Sequence, residues 1–217
     1  LKNTKLYIKT YLGEVYDNLS IFAAKFKPET PGESSEPFLL KANSLYLENA
    51  DVKIIDQNAE NPEVVNFMGI TLDAKQFEVD DADIYGDIQS LTFLYNNELL
   101  VKNLSGDFSY THEALSIKKM ILDTEQSHIK GDLSLVLNEG SFADFADKVR
   151  FEVDFEEAQI ATNDLNFFYN EFGEEQIIDF TGKMSGPLND FLLTDVVLKN
   201  QGTEITGDFT FKNLLSK

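Results

Sequence analysis

Val149-Arg150-Phe151-Glu152-Val153-Asp154-Phe155-Glu156 alternates apolar and charged residues without a break. Val149, Phe151, Val153 and Phe155 therefore point to one side and the charges to the other, the mark of a half-buried strand. The same period of two runs through Ile129 to Leu137 and Thr203 to Lys212. It is less pure at Leu91 to Tyr95, Leu104 to Tyr110 and Leu115 to Leu122. Short polar clusters separate these runs and suit hairpin turns: Asn96-Asn97-Glu98, Thr111-His112-Glu113, Thr124-Glu125-Gln126, Asn138-Glu139-Gly140 and Asn200-Gln201-Gly202. Successive strands are expected to be antiparallel neighbours in an all-β chain.

Two places resist the strand reading. Leu12, Val15, Tyr16, Leu19, Phe22, Ala23 and Phe26 follow a helical spacing, although Gly13 and the β-rich flanks argue against a helix. From Asp164 to Phe172 a short helix is expected, capped by Asn163 or Asp164 and presenting Leu165, Phe168 and Phe172. At most one or two short helical turns are foreseen. Pro28 to Pro37 and Asn58 to Pro62 read as loops, neither as an interdomain linker, so residues 1–217 form a single β-repeat segment.

One element recurs. It is apolar-x-Gly-Asp-apolar, at Ile84-Tyr85-Gly86-Asp87-Ile88, Leu104-Ser105-Gly106-Asp107-Phe108, Ile129-Lys130-Gly131-Asp132-Leu133 and Ile205-Thr206-Gly207-Asp208-Phe209. Phe180-Thr181-Gly182-Lys183-Met184 is a variant. The glycines lie 20, 25, 51 and 25 residues apart, which fits a repeat of two strands and two turns with one degenerate copy in the long gap. Each glycine shares the apolar face with its neighbours two residues away, while each aspartate lies on the wetter face. A glycine inside a strand marks a bulge, a bend or a close backbone approach, so its recurrence implies a sheet that curls regularly. If every second strand carries the element, the aspartates stand about 10 Å apart, twice the strand spacing. The same spacing also suits turn-proximal glycines in a β-sandwich.

The chain offers little chemistry. His112 and His128 are its only histidines and have no metal-ligand spacing. No Gly-x-Ser-x-Gly elbow surrounds Ser109 or Ser127. Asp80, Asp81 and Asp83 lack the glycine and terminal glutamate of a calcium loop. Acidic pairs such as Glu156-Glu157 and Glu174-Glu175 are expected by chance with 38 acidic residues in 217, and no tryptophan is present for sugar stacking. A formal charge of -20 opposes binding to nucleic acid and to anionic lipid heads, without opposing contact with acyl chains. The absence of cysteine removes disulfides and thiol catalysis. No apolar run reaches the ~18 residues of a membrane span, and residue 1 opens into strand-like sequence, as expected of a mature chain or a piece excised from a longer one. No cofactor is expected.

Ser127-His128-Ile129-Lys130-Gly131-Asp132-Leu133-Ser134-Leu135 resembles the β repeats of the TamB family, the translocation and assembly module proteins of the AsmA-like superfamily in their longer Bacteroidota-type form. So do Asn163-Asp164-Leu165-Asn166-Phe167-Phe168, the run Phe180 to Leu188, and Leu198 with Thr203 to Phe209. The resemblance spans about residue 40 to the end and rests on degenerate motifs. It implies an interior fragment of a periplasm-spanning protein, anchored in the inner membrane by a helix outside this chain. The body would be an elongated antiparallel β-taco, an open groove with an apolar interior. The family is linked to phospholipid movement between membranes and to outer-membrane protein assembly with a β-barrel partner, and neither role needs an enzyme. Carried over by position, phospholipid acyl chains would meet Ile84, Ile88, Leu104, Phe108, Ile129, Leu133, Leu135, Leu137, Ile205, Phe209 and Phe211. Glycines 86, 106, 131, 182 and 207 would permit the curl. Two readings stand beside this one: a structural β-sandwich or solenoid with a closed core, and a carbohydrate-active enzyme.

Overall fold

A computed structural model describes residues 1–24, 38–58, 64–137, 145–167 and 173–214. Phe26, the Pro28 to Pro37 loop, most of the Asn58 to Pro62 loop, the Asn138 to Gly140 turn, Phe168 and Phe172 lie outside the described residues.

The strands are β1 (Lys5–Thr10), β2 (Leu39–Asp56), β3 (Val64–Asp80), β4 (Asp83–Tyr95), β5 (Leu99–Tyr110), β6 (Ala114–Asp123), β7 (His128–Val136), β8 (Arg150–Ala161), β9 (Ile177–Pro187), β10 (Phe191–Asn200) and β11 (Thr203–Phe211). They make one 11-stranded sheet in which spatial order equals chain order. Nothing pairs β1 with β11, so the sheet stays open, an elongated all-β groove in which each strand pairs with its neighbours in the chain. From β2 onward every pair is antiparallel, as expected, whereas β1 runs parallel to β2. The parallel start is possible because the chain between them is long enough for the crossover that parallel strands need, part of it as α1 (Asn18–Ala24).

That helix corrects the reading of Leu12 to Phe26. The helical spacing is real over its later half, and Gly13, at φ 84°, sits in the turn before the helix instead of inside it. Two further short helices, α2 (Phe145–Lys148) and α3 (Thr162–Asn166), make one more than the one or two turns expected. The N-cap of α3 is Ala161, not Asn163 or Asp164, and it makes no side-chain capping bond. Asp164 is committed elsewhere: its Oδ2 accepts the hydroxyls of Thr124 and Ser127, both at 2.5 Å, and ties α3 to the turn between β6 and β7.

The repeat glycines fall on β4, β5, β7, β9 and β11. From Gly106 onward the element therefore returns on every second strand, and the 51-residue gap corrects to a single repeat. It holds no degenerate copy; the segments carrying α2 and α3 lengthen it. Gly86 breaks the spacing at the other end, because β4 and β5 are adjacent and Asp87 stands directly opposite Asp107.

Each intervening strand is bulged. Register slips lie between Ile88 and Leu91 in β4, Ile117 and Met120 in β6, Phe155 and Ala158 in β8, and Thr194 and Val197 in β10. A glycine of an odd-numbered strand faces each bulge, and the backbones of β6, β8 and β10 press into the glycines of β5, β7 and β9. A Cβ on Gly106 would lie 2.6 Å from the Lys118 carbonyl oxygen, and one on Gly131 would collide with the carbonyl oxygen of Asp154. These glycines also hold φ near +150°, at 143° for Gly106 and 156° for Gly131, where L side chains are strained.

Gly131→Ala should therefore lose about 3 kcal/mol or more in urea unfolding, because collision adds to strain. Gly207→Ala, at φ 147° but with only its own Phe209 ring within 4 Å, should lose about 1 kcal/mol. Equal losses in the two variants would show that φ alone, without strand approach, demands the glycines.

Candidate functional site

Residues paired across a sheet project from the same face, so the register identifies the two faces without ambiguity. The longest apolar row crosses ten strands: Leu47, Leu72, Leu91, Leu104, Leu122, Ile129, Ala158, Phe180, Leu198 and Ile205 are successive partners. A second row joins Phe108, Ile117, Leu133, Val153, Met184, Leu193 and Phe209. A third contains Ile84, Tyr110, Leu115, Leu135 and Phe151.

Between the first two rows runs the line of notches. There Ile88 faces Gly106, Met120 faces Gly131, Phe155 faces Gly131 and Gly182, and Val196 faces Gly207. Bulky side chains alternate with glycines, so each large residue leans over a gap and the line closes to near-core packing. Ile88, Met120 and Val196 are buried here.

The residues singled out for the apolar interior thus share one face, with two differences in cover. Ile88 and Leu137 are buried at 9% and 7% exposure, so they form its wall instead of its surface. Ile205 on the edge strand is 45% exposed. Sequence reasoning missed Leu47, Leu72, Leu91, Leu122, Phe180 and Leu198, most of them on strands without the Gly-Asp element. Their signal was the apolar alternation, which the bulges interrupt.

No described phenylalanine or tyrosine is fully buried. Among the described residues the buried apolar side chains are alanines, valines, isoleucines, one methionine and Leu137. On the apolar face the aromatic rings are only partly exposed, touching edge to face at Phe67 and Phe93 (5.5 Å) and at Phe155 and Phe180 (5.1 Å). Globular cores place such rings inside; among the described residues there is no second sheet to cover them.

The opposite face is polar and charged, and its aspartates perform a specific task. The N–H of Lys119, a bulge residue at φ 50°, donates to Asp132 Oδ1 at 2.8 Å. The N–H of Asp195, at φ 55° in the β10 bulge, donates to Asp208 Oδ1 at 3.0 Å. Gly69, at φ 61°, donates likewise to Asp51 Oδ1 at 3.1 Å. The Gly-Asp element therefore serves bulges on both sides: in β5, β7 and β9 the glycine admits the backbone of the following strand, and at Asp132 and Asp208 the next residue captures the amide displaced by the bulge of the preceding strand. Lysines balance part of the row, with Lys118 Nζ 3.1 Å from Asp132 and Lys119 Nζ 3.0 Å from Asp107. Exposed as they are, these pairs contribute little, because water and salt screen them.

The titratable candidates sit apart from one another. His112 lies exposed in the turn between β5 and β6, while His128 Nδ1 is 2.5 Å from Asp123 Oδ1 on the polar face. Ser127 is buried and bonded to Asp164. Asp81 accepts the N–H of Phe38 and helps shape the turn between β3 and β4. Among the described residues no group of three or more His, Asp or Glu side chains could hold a metal ion.

Fold and face together define an open all-β groove protein of bulged strand pairs, apolar on one side and acidic on the other. No family model, curated protein or solved structure matches the chain.

The amide of Lys119, foremost, holds the Asp132 carboxyl below its ordinary range, with Lys118 adding to it. The stability this contributes is complete above about pH 4 and is lost as acid protonates the group. Asp132→Asn should be less stable than the parent at pH 7 by about 1 kcal/mol, a value already reduced for partial exposure. The gap should shrink at pH 3 in urea unfolding, and a gap of the same size at both pH values would sever Asp132 from the bulge.

Proposed function

We propose that the apolar face is a conduit for phospholipid acyl chains and that the chain is a non-enzymatic segment of a TamB/AsmA-like protein of the periplasm. One observation carries the reading: apolar rows cross the sheet on one face, and none of their aromatic residues is fully buried. Acyl chains are the apolar partner that fits a long face without a pocket, since each CH2 withdrawn from water contributes about 0.8 kcal/mol and needs no directional bond. The head group would stay at the open, wet side. Similar side chains recur from strand to strand, so a bound chain meets sites of near-equal depth and slides instead of lodging. In the full protein, anchored in the inner membrane by a segment outside this chain, such a conduit would support lipid movement between membranes and outer-membrane protein assembly with a β-barrel partner.

A photo-reactive amino acid placed in cells at Leu133 or Phe209, on the second apolar row, should yield phospholipid adducts. The same probe at Ser134 or Thr210, on the polar face, should yield none. Adducts at all four positions, or at no position, would remove the conduit and favour a structural module. Tight, stoichiometric capture at a single position would contradict sliding.

A further inference from the structure

The connection that follows β8 does not stay above its own hairpin. α3 begins directly after Ala161, and its Asp164 accepts the hydroxyls of Thr124 and Ser127 in the turn between β6 and β7. Beside it the side-chain amide of Asn163 donates to Gln126 Oε1 of the same turn at 3.2 Å. One residue beyond α3, Phe167 reaches Tyr95 at the end of β4, the ring centroids 5.5 Å apart and the planes at 70°. β4, β6 and β8 all end on the same rim of the sheet. Thr162 to Phe167 therefore crosses that rim over four strand spacings, about 19 Å in a flat sheet.

Tyr95 belongs to the apolar face. It stands on the side of Leu91 in the longest apolar row, pairs with Phe67 and Leu99, and touches the Phe67 ring at 5.3 Å, which in turn meets Phe93. Phe167 is thus a part of this chain lying where an acyl chain would lie, against rings at the margin of the groove. The crossing segment has a firm base and a light hold. Ala161 and Thr162 are each 1% exposed, and the N–H of Thr162 donates to the Gln176 carbonyl while its hydroxyl accepts the Gln176 N–H. Past that base Asn163 is exposed and Asp164 to Phe167 are only half-buried. α3 has five residues and no side-chain cap, too few to hold as a helix without its neighbours. Half-open segments of this kind are the ones that open first.

We propose that Thr162 to Phe167 is a strap that occludes the apolar face along the rim from β4 to β8, latched by Asp164 on Thr124 and Ser127, and that it yields to lipid. The inference rests on the conduit reading. Closed, Phe167 gives Tyr95 the apolar contact that an acyl chain would give. Open, with Thr162 as the hinge, it leaves Tyr95, Phe93 and Phe67 to the lipid. An acyl chain on these rings binds only the open form, so its apparent affinity is its intrinsic affinity scaled by the open fraction. Release of the latch therefore regulates entry of lipid over this rim.

The test places the photo-reactive amino acid in cells at Phe93, beneath the strap, and at Phe209 on β11, outside its reach, and compares phospholipid adducts. Phe167→Ala and Asp164→Ala should each raise the yield at Phe93 at least threefold and leave the yield at Phe209 unchanged. Should Asp164→Ala not fold, Thr124→Val takes its place, removing one hydroxyl of the latch at nearly constant volume. A yield at Phe93 indifferent to the variants, with adducts persisting at Phe209, would overturn the strap and leave the conduit standing. A fall at Phe93 in Phe167→Ala would overturn occlusion, since Phe167 would then be clamping lipid instead of excluding it. A rise in Phe167→Ala alone would overturn the latch. Loss of adducts at Phe209 in the parent would overturn the conduit itself, and the strap with it.

Discussion

A bulged backbone carbonyl resting on the bare Cα of a glycine is the contact on which this sheet depends. A flat antiparallel sheet of 11 strands would have no means of turning its apolar side inward, and sheets of that breadth curl, split or recruit a second layer. Here β4, β6, β8 and β10 each carry an extra residue, and the glycines of β5, β7 and β9 leave room for the displaced backbones of β6, β8 and β10. Any side chain there would push the strands apart where the sheet must be tightest.

The same contact organises the two faces. On the apolar side, the large residues of the bulged strands cover the gaps beside the glycines, so a well-packed stripe of the face runs across the strands. The surfaces flanking it keep their rings half-open. On the polar side, the amide displaced by the bulge needs an acceptor, and the aspartate after the glycine provides one in β7 and β11. An acidic surface is thus partly a by-product of curvature. Each aspartate that captures a bulge adds a charge, and neighbouring lysines offset only some of it.

The latter part of the chain was legible because its odd-numbered strands carry no bulge of their own and β8 bulges only after Phe155, so alternation survives from Ile129 to Leu137, from Val149 to Phe155 and from Thr203 to Phe211. β2 and β3, the longest strands at 18 and 17 residues, were not legible. Asn49, Gly69 and Gln76, all at positive φ, shift the phase inside them, and a period of two broken every eight residues or so no longer reads as a period. Gly and Asp in the element were recognised, but their partner was not, because a bulge has no side-chain signature of its own: Lys119 and Asp195 look like ordinary surface residues. The helix at Asn18–Ala24 was discounted on account of Gly13, a residue that precedes it. Asp164 was expected to cap α3 and instead joins two hydroxyls 37 and 40 residues away, a contact that only the assembled sheet creates.

Because spatial order equals chain order, the sheet can be laid down in the sequence in which it is synthesised or delivered. Beyond the crossover from β1 to β2, each new strand finds its partner already waiting beside it, and no strand must remain unpaired until a distant one arrives. A chain of this design can assemble hairpin by hairpin, with one exposed edge advancing at a time.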